Sequence, residues 1–129
     1  MFRQGPLPPL IHGLLDYVVG VALIAVPFAV GFDDGTATAA AVVLGVGLLV
    51  LAASSDMPTG LVRSLPWALH VLLDYAIAVA LVAAPFVLAF SDDATAAPWL
   101  IALGVAQLLQ TLATRFLEPK DRRRPDAAP

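Results

Sequence analysis

A stretch of 23 residues occurs twice in this chain, 58 residues apart, and this repeat constrains the fold more than any other feature. Residues 12–34 read HGLLDYVVGVALIAVPFAVGFDD, and residues 70–92 read HVLLDYAIAVALVAAPFVLAFSD, with 13 of the 23 positions identical. A repeat at a fixed offset defines the architectural unit of a chain. We therefore expect two copies of one unit, in which an apolar helix is followed by an acidic turn and a second helix.

The composition predicts that these units lie in a membrane. The chain is 60% hydrophobic and only 13% charged, against roughly 45–50% and 25% in soluble domains. Four apolar segments, at residues 10–32, 36–54, 66–90 and 97–116, are each long enough to cross the ~30 Å hydrocarbon core. The predicted fold class is all-α, a four-helix transmembrane bundle built from two tandem helical hairpins.

The repeat also divides the chain. We predict a single integral membrane domain over residues 1–116, with repeat 1 at about 10–54, a polar connector at 55–65 and repeat 2 at about 66–116. Residues 117–129 are charged and contain proline, so we expect a disordered cytoplasmic tail.

The basic residues predict the orientation. They are Arg3, Arg63, Arg115, Lys120, Arg122, Arg123 and Arg124. All seven fall in the N-terminal lead, the connector or the C-terminal end, whereas the two hairpin turns carry only aspartates. The positive-inside rule then predicts a multi-pass membrane protein with both termini in the cytoplasm. Two units inserted in the same direction are expected to be related by a pseudo-twofold axis along the membrane normal.

Each unit places polar side chains at membrane depth near the predicted cytoplasmic side. The intramembrane polar cluster that we predict comprises His12, Asp16, Tyr17, His70, Asp74 and Tyr75. In each copy the His and the Asp are four residues apart and share one helix face. Under a pseudo-twofold axis, these faces meet inside the bundle. Each Tyr follows its Asp and can bond to it or lie at the membrane interface.

Three interpretations of this cluster stay open. The first is structural, in which His and Asp satisfy each other and fix the helix register. The second is a proton- or ion-conducting element, since ionisable groups at membrane depth are costly and often functional. The third is a metal or haem site that uses His12 and His70. Two histidines without a further evident ligand are a weak metal signal, so we predict no metal and no cofactor.

Two further features stand outside the cluster. Two Pro-Phe pairs predict helix kinks, as a hinge, a wedge between helices or a static kink packed by the aromatic ring. The residues are Pro27, Phe28, Pro85 and Phe86. A run of three arginines near the C-terminus, suited to anionic lipid headgroups or to marking topology, consists of Arg122, Arg123 and Arg124.

The Pro-aromatic pair late in the first helix of each unit resembles the SPW-repeat family of small prokaryotic membrane proteins. In that family a Ser-Pro-Trp motif lies late in the first of two transmembrane helices. The matching segments here are Val26-Pro27-Phe28 and Ala84-Pro85-Phe86, in which Pro is kept and Phe replaces Trp. The resemblance covers about residues 10–116. It implies a two-hairpin fold in the inner (plasma) membrane of a prokaryotic cell, and it brings no activity with it.

These observations predict a small four-span membrane protein of structural or accessory type. We expect it to act in the lipid bilayer as a homo-oligomer or as a subunit of a larger membrane complex. The chain contains no cysteine, no phosphate-binding glycine loop, no nucleophile elbow and no HExxH motif. We therefore predict that it is not an enzyme and that it binds no nucleic acid.

Overall fold

The computed structural model describes residues 6–114, and within this range it contains four α-helices and no β-strand. The helices are α1 (Pro9–Val26), which continues into a π-helical turn (Pro27–Gly31), α2 (Gly35–Ser54), α3 (Trp67–Val87) and α4 (Ala96–Ala113). Helix α1 packs mainly on α2 and α3 mainly on α4, so the chain forms two helical hairpins in sequence. The predicted all-α architecture is confirmed. The pseudo-twofold axis stays a prediction.

All four helices are long and apolar enough to cross a bilayer. The first, counted with its π-helical turn, has 23 residues and a mean hydropathy of 2.1, and α2 has 20 residues and 2.3. Helix α3 has 21 residues and 1.9, whereas α4 has 18 residues and 1.4. Since a span needs about 20 predominantly apolar residues, these values support a membrane bundle. Two glutamines make α4 the least apolar of the four.

The third span ends earlier than predicted. Helix α3 stops at Val87, three residues before Phe90. Pro85 lies in its last turn, and Ala89 adopts a positive φ of 62°, which reverses the chain. The Phe90 N–H then donates to the Pro85 carbonyl at 2.9 Å. The reversal turns the Phe90 side chain into the core, where it is 1% exposed.

A glycine in each hairpin allows the two helices to approach closely. A Cβ atom at Gly45 of α2 would lie 2.8 Å from the carbonyl oxygen of Gly20 in α1. A Cβ atom at Gly104 of α4 would lie 2.8 Å from Leu81 Cβ and 3.0 Å from the Ala78 carbonyl oxygen in α3. All three distances are shorter than ordinary Cβ contacts, so each hairpin depends on its glycine for the close packing of its two helices.

Two isolated parallel bridges tie the chain at one end of the bundle. Ser55 pairs with Leu65 across the connector, and Leu7 pairs with Thr114. These residues correspond in the two repeats, since Leu65 is 58 positions after Leu7 and Thr114 is 59 after Ser55. The difference of one is the extra residue in the second hairpin turn. We call this end the terminal end, and the opposite end, which carries both hairpin turns, the turn end.

The buried interior is polar at the terminal end and apolar from there to the turn end. The core beyond the polar region includes Val19, Leu23, Leu81, Phe90 and Leu100, all at most 6% exposed. Within residues 6–114, Asp93 at the turn end is the one buried polar residue outside the terminal-end region. The polar groups are thus separated by an apolar layer.

Asp93 joins the two hairpin turns. Its Oδ1 accepts from the N–H groups of Thr95 and Ala96, at 3.0 and 2.9 Å, and so caps α4. Its Oδ2 accepts from the N–H groups of Asp33 and Asp34 in the other turn, both at 3.0 Å. The Ala96 N–H, followed by the other three donors, holds the pKa of the Asp93 carboxyl below its ordinary value of 3.8.

Candidate functional site

Two histidines and two aspartates meet between the hairpins at the terminal end. Helix α1 supplies His12 and Asp16, and α3 supplies His70 and Asp74. All four are at most 1% exposed. We refer to these four residues as the His/Asp cluster. The i,i+4 spacing places the His and the Asp of each helix on one face, and the faces of α1 and α3 point at each other.

Four atoms of the cluster form a closed ring in which nitrogen and oxygen alternate. His12 Nε2 lies 3.1 Å from Asp16 Oδ2 and 2.8 Å from Asp74 Oδ2. His70 Nε2 lies 3.1 Å from Asp16 Oδ2 and 2.9 Å from Asp74 Oδ2. Each histidine therefore contacts the carboxylate of its own repeat and that of the other repeat. The imidazole rings stand edge to face, with centroids 5.7 Å apart.

A hydroxyl group that follows the second helix of the other hairpin holds the second nitrogen of each ring. Ser55 Oγ lies 2.6 Å from His70 Nδ1, and Thr114 Oγ1 lies 2.8 Å from His12 Nδ1. Both hydroxyls donate their single proton to the backbone carbonyl four residues earlier. Each hydroxyl oxygen must then accept from the histidine, so both Nδ1 atoms carry a proton. Both Nε2 atoms face the carboxylates.

The two carboxylates differ in their outer oxygen. Asp16 Oδ1 accepts from the side-chain amides of Gln107 and Gln110 of α4, at 3.0 and 2.7 Å. Within residues 6–114, Asp74 Oδ1 is the one buried side-chain polar atom with no hydrogen-bond partner. The repeat alignment, with its one-residue insertion, places Leu48 and Leu51 at the positions equivalent to the two glutamines. Leucine has no donor to offer.

The cluster also offers a set of metal ligands. One atom from each of the four residues is available, and these atoms all lie within 4.8 Å of one another. In tetrahedral geometry, Zn–N and Zn–O bonds of about 2.0–2.2 Å place the ligand atoms about 3.3–3.6 Å apart. A single ion therefore fits once the four atoms separate by about 0.5 Å from their contacts of 2.8–3.1 Å. The carboxylate oxygens lie between the two histidine nitrogens, and this geometry favours an ion over a haem.

The tyrosines lie beside the cluster. Tyr17 donates its hydroxyl proton to the carbonyl oxygen of Thr59 in the connector, at 2.9 Å. Tyr75 packs against a small buried group formed by Met57 and Val71. Tyr17 therefore links α1 to the connector, and Tyr75 packs α3 against Met57 of the connector.

The Pro-Phe pairs lie far from the cluster. Pro27 and Pro85 are buried, but Phe28 and Phe86 are 71% and 64% exposed. The rings therefore lie on the outer surface of the helices and are not packed inside the bundle. The predicted lipid-headgroup residues Arg122, Arg123 and Arg124 lie outside the described residues.

The sequence pattern does not identify all partners of the cluster. Ser55 falls in the predicted connector, and Thr114 is an ordinary residue of the predicted fourth span. A signal exists, since the repeat alignment with its insertion pairs these two residues and both carry a hydroxyl. Gln107 and Gln110 stand out as polar residues of an apolar helix, but their common partner, Asp16, depends on tertiary packing.

Four apolar helices in two hairpins, joined by a buried polar cluster, define a small polytopic α-helical membrane protein. The family model of the SPW repeat domain matches residues 10–114, and the chain therefore belongs to the SPW repeat family. The resemblance noted from its Pro-Phe segments is confirmed. Searches of the curated proteins and of the solved structures find no significant match.

Proposed function

We propose that this protein is a structural or accessory component of a prokaryotic cell membrane, and that the His/Asp cluster locks its two hairpins together. One observation carries the proposal: each histidine contacts the aspartates of both repeats in a site that is at most 1% exposed. Ion pairs in an apolar environment are costly to break, because the group left behind is buried without compensation.

The apolar layer argues against a proton- or ion-conducting element. Beyond Asp16 and Gln107, the buried side chains toward the turn end are apolar until Asp93. A conduction path needs polar groups or water along its length, and the fully buried Leu23, Leu81 and Leu100 supply neither. A cluster separated from the turn end by an apolar layer fits a locking role better than a proton relay.

The proposal is tested by the stability of cluster variants in mild detergent. His70→Gln and Asp16→Asn each remove one member of the ring and leave the others buried. We expect a loss of about 3–5 kcal/mol of folding free energy for each, the usual effect of breaking a buried pair. The combined variant with His12→Gln, His70→Gln, Asp16→Asn and Asp74→Asn is expected to melt below wild type as well.

The matched control is Asp33→Asn with Asp92→Asn, which makes the same chemical change at two exposed turn positions. Its melting temperature is expected to stay near that of wild type. Cluster variants as stable as wild type would show that these residues do not serve the fold. A proton flux in liposomes that the cluster variants abolish would replace the locking role with conduction.

We infer that the protein lies in the membrane with its terminal end on the cytoplasmic side. Support comes from the distribution of the basic residues, none of which lies in a hairpin turn. The chain has no cysteine, so Ser64→Cys and Ser91→Cys each introduce a single thiol at an exposed site. In intact cells a membrane-impermeant maleimide is expected to label the Cys variant of Ser91 and to leave that of Ser64 unlabelled. The reverse pattern contradicts the inference.

The predicted assembly, a homo-oligomer or a subunit of a larger membrane complex, has a candidate surface. A groove of about 350 Å³ between α2 and α3 is lined by apolar side chains, among them Ala40, Ala80, Ala83 and Ala84. Small residues are the usual contact surface between membrane helices. Light scattering in detergent is expected to show association that Ala83→Phe weakens and the exposed control Ala106→Phe does not. A monomer without copurifying membrane proteins contradicts the assembly.

A further inference from the structure

We propose that the His/Asp cluster binds one divalent transition-metal ion of the zinc class, with Nε2 of His12 and His70 and an oxygen of Asp16 and of Asp74 as ligands. The inference goes beyond the locking role, which does not require an ion. It rests on the direction of the lone pairs, on the charge of the cluster and on the unpartnered oxygen of Asp74.

The hydroxyl contacts determine which nitrogen of each histidine is available. Since Ser55 and Thr114 accept from the Nδ1–H groups, each Nε2 faces the centre of the cluster either with a lone pair or with a second proton. Each Nε2 lies within 3.1 Å of two carboxylate oxygens. A lone pair directed at two anionic oxygens is repulsive, so the centre must hold positive charge.

Either of two occupants can neutralise the negative charge of the cluster. Two carboxylates carry a charge of −2, and either two Nε2 protons or one divalent cation brings the cluster to neutrality. Binding of the ion releases the two protons, and the net buried charge stays at zero. Neutrality matters at this position because an uncompensated buried charge costs many kcal/mol.

The surroundings favour the ion. Metal-bound histidines usually donate their other N–H to a fixed oxygen, and metal-bound carboxylates are themselves hydrogen-bonded. The two hydroxyls meet the first condition for both histidines, and Gln107 and Gln110 meet the second for Asp16. Two protons at the Nε2 atoms leave Asp74 Oδ1 buried without a partner. An ion bound by both oxygens of Asp74 gives Oδ1 a partner, which the two protons do not.

The donor set limits the identity of the ion. Two imidazole nitrogens with carboxylate oxygens suit Zn²⁺ and the neighbouring divalent ions Fe²⁺, Co²⁺ and Mn²⁺. Mg²⁺ and Ca²⁺ prefer oxygen ligands throughout. Soft-metal sites use the sulfur of Cys or Met, which none of the four cluster residues offers. With four protein residues and no exposure, the site has the closed form of a structural metal site.

The experiment uses the full chain produced in medium supplemented with Zn²⁺ or Co²⁺, so that the site fills as the protein folds. After purification in detergent and removal of free metal, elemental analysis is expected to give one ion per chain. The Co²⁺ protein is expected to show the visible absorption of a low-symmetry site. Wild type that is helical and melts cooperatively, yet carries no more metal than a detergent blank, overturns the proposal.

Variants identify the ligands. The chain has no cysteine, so His70→Cys adds a single thiol, and ligation there produces a thiolate-to-cobalt charge-transfer band. Ser55→Ala and Thr114→Ala, which keep all four ligands, are expected to weaken binding roughly 10–100-fold. The control Asp33→Asn with Asp92→Asn is expected to keep one ion. Bound metal that Asp74→Asn leaves unchanged in amount and spectrum places the ion elsewhere and overturns the proposal.

The experiments can disprove the locking role and the metal site independently of each other. If folded wild type carries no metal and the cluster variants are destabilised, the locking role stands and the metal site is wrong. If wild type carries one ion but removal of the cluster leaves the stability unchanged, the metal site stands and the locking role is wrong. The cluster variants should therefore be measured for both metal content and melting temperature.

Discussion

The two aspartates of the cluster occupy equivalent positions in the repeats but have different surroundings. Asp16 Oδ1 accepts two amide donors, whereas Asp74 Oδ1 has none. The difference comes from two positions of the second helix, which are Gln107 and Gln110 in repeat 2 and leucines in repeat 1. The repeats thus share their ring of four atoms and have diverged in the groups that support it.

The supporting role of the glutamines predicts a non-additive effect. Gln107→Leu or Gln110→Leu alone leaves Asp16 Oδ1 with one amide donor, so each is expected to lower stability only slightly. The double variant leaves a buried carboxylate oxygen without a donor and is expected to lose about 1–3 kcal/mol more than the sum. Unfolding in a denaturing detergent series measures the three variants. Simple additivity would show that the two amides do not share this oxygen.

At the scale of the helices, two glycines of α2 provide a matched comparison. A Cβ atom at Gly45 would lie 2.8 Å from the Gly20 carbonyl oxygen, whereas one at Gly47 has no neighbour within 4 Å. Gly45→Ala is expected to destabilise the protein by about 1–3 kcal/mol, because a backbone oxygen cannot move aside. Gly47→Ala is expected to be neutral or stabilising by about 0.5–1 kcal/mol. Equal melting temperatures contradict the close approach of α1 and α2.

The helices and the cluster differ in how far the sequence predicts them. The four spans follow from hydropathy, and the equivalence of the hairpins follows from the repeat. The shared face of His12 and Asp16 follows from helix geometry. The reversal at Ala89 and the inward turn of Phe90 do not follow from the sequence, because a positive φ in alanine depends on the conformation of the whole turn. The pairing of Gln110 with Asp16 cannot be predicted from the sequence either, since the two residues are 94 positions apart and meet only through the packing of α4 on α1.

At the scale of the whole molecule, Asp93 connects the hairpins at the end opposite to the cluster. The hydrogen bonds that the Asp93 carboxylate accepts from backbone N–H groups lower its pKa, and the bond from the Ala96 N–H has the largest effect. A carboxyl whose pKa is lower in the folded state stabilises the fold fully when the pH is above the group's ordinary pKa of 3.8. This stabilisation is lost as the pH falls through the pKa of the folded state.

We therefore expect the wild-type melting temperature to fall as the pH is lowered below about 4, and Asp93→Asn to lose most of this dependence. Asp93→Asn is also expected to be less stable than wild type at neutral pH. The exposed Asp92→Asn serves as the control. An unchanged acid response in Asp93→Asn would show that other carboxylates determine it.

The bridges at the terminal end bring the two ends of the described range, at Leu7 and Thr114, side by side. Leu7 lies beside Thr114 in the same way as Leu65 lies beside Ser55, so the two repeats meet at two equivalent junctions, one of which the connector spans. A permuted gene that begins at Gly60, ends at Thr59 and retains residues 1–5 and 115–129 as its new linker should encode the same bundle. Separate hairpins, coexpressed as two polypeptides, should likewise assemble as a pair, since the atoms that hold them together lie between them and not along the chain.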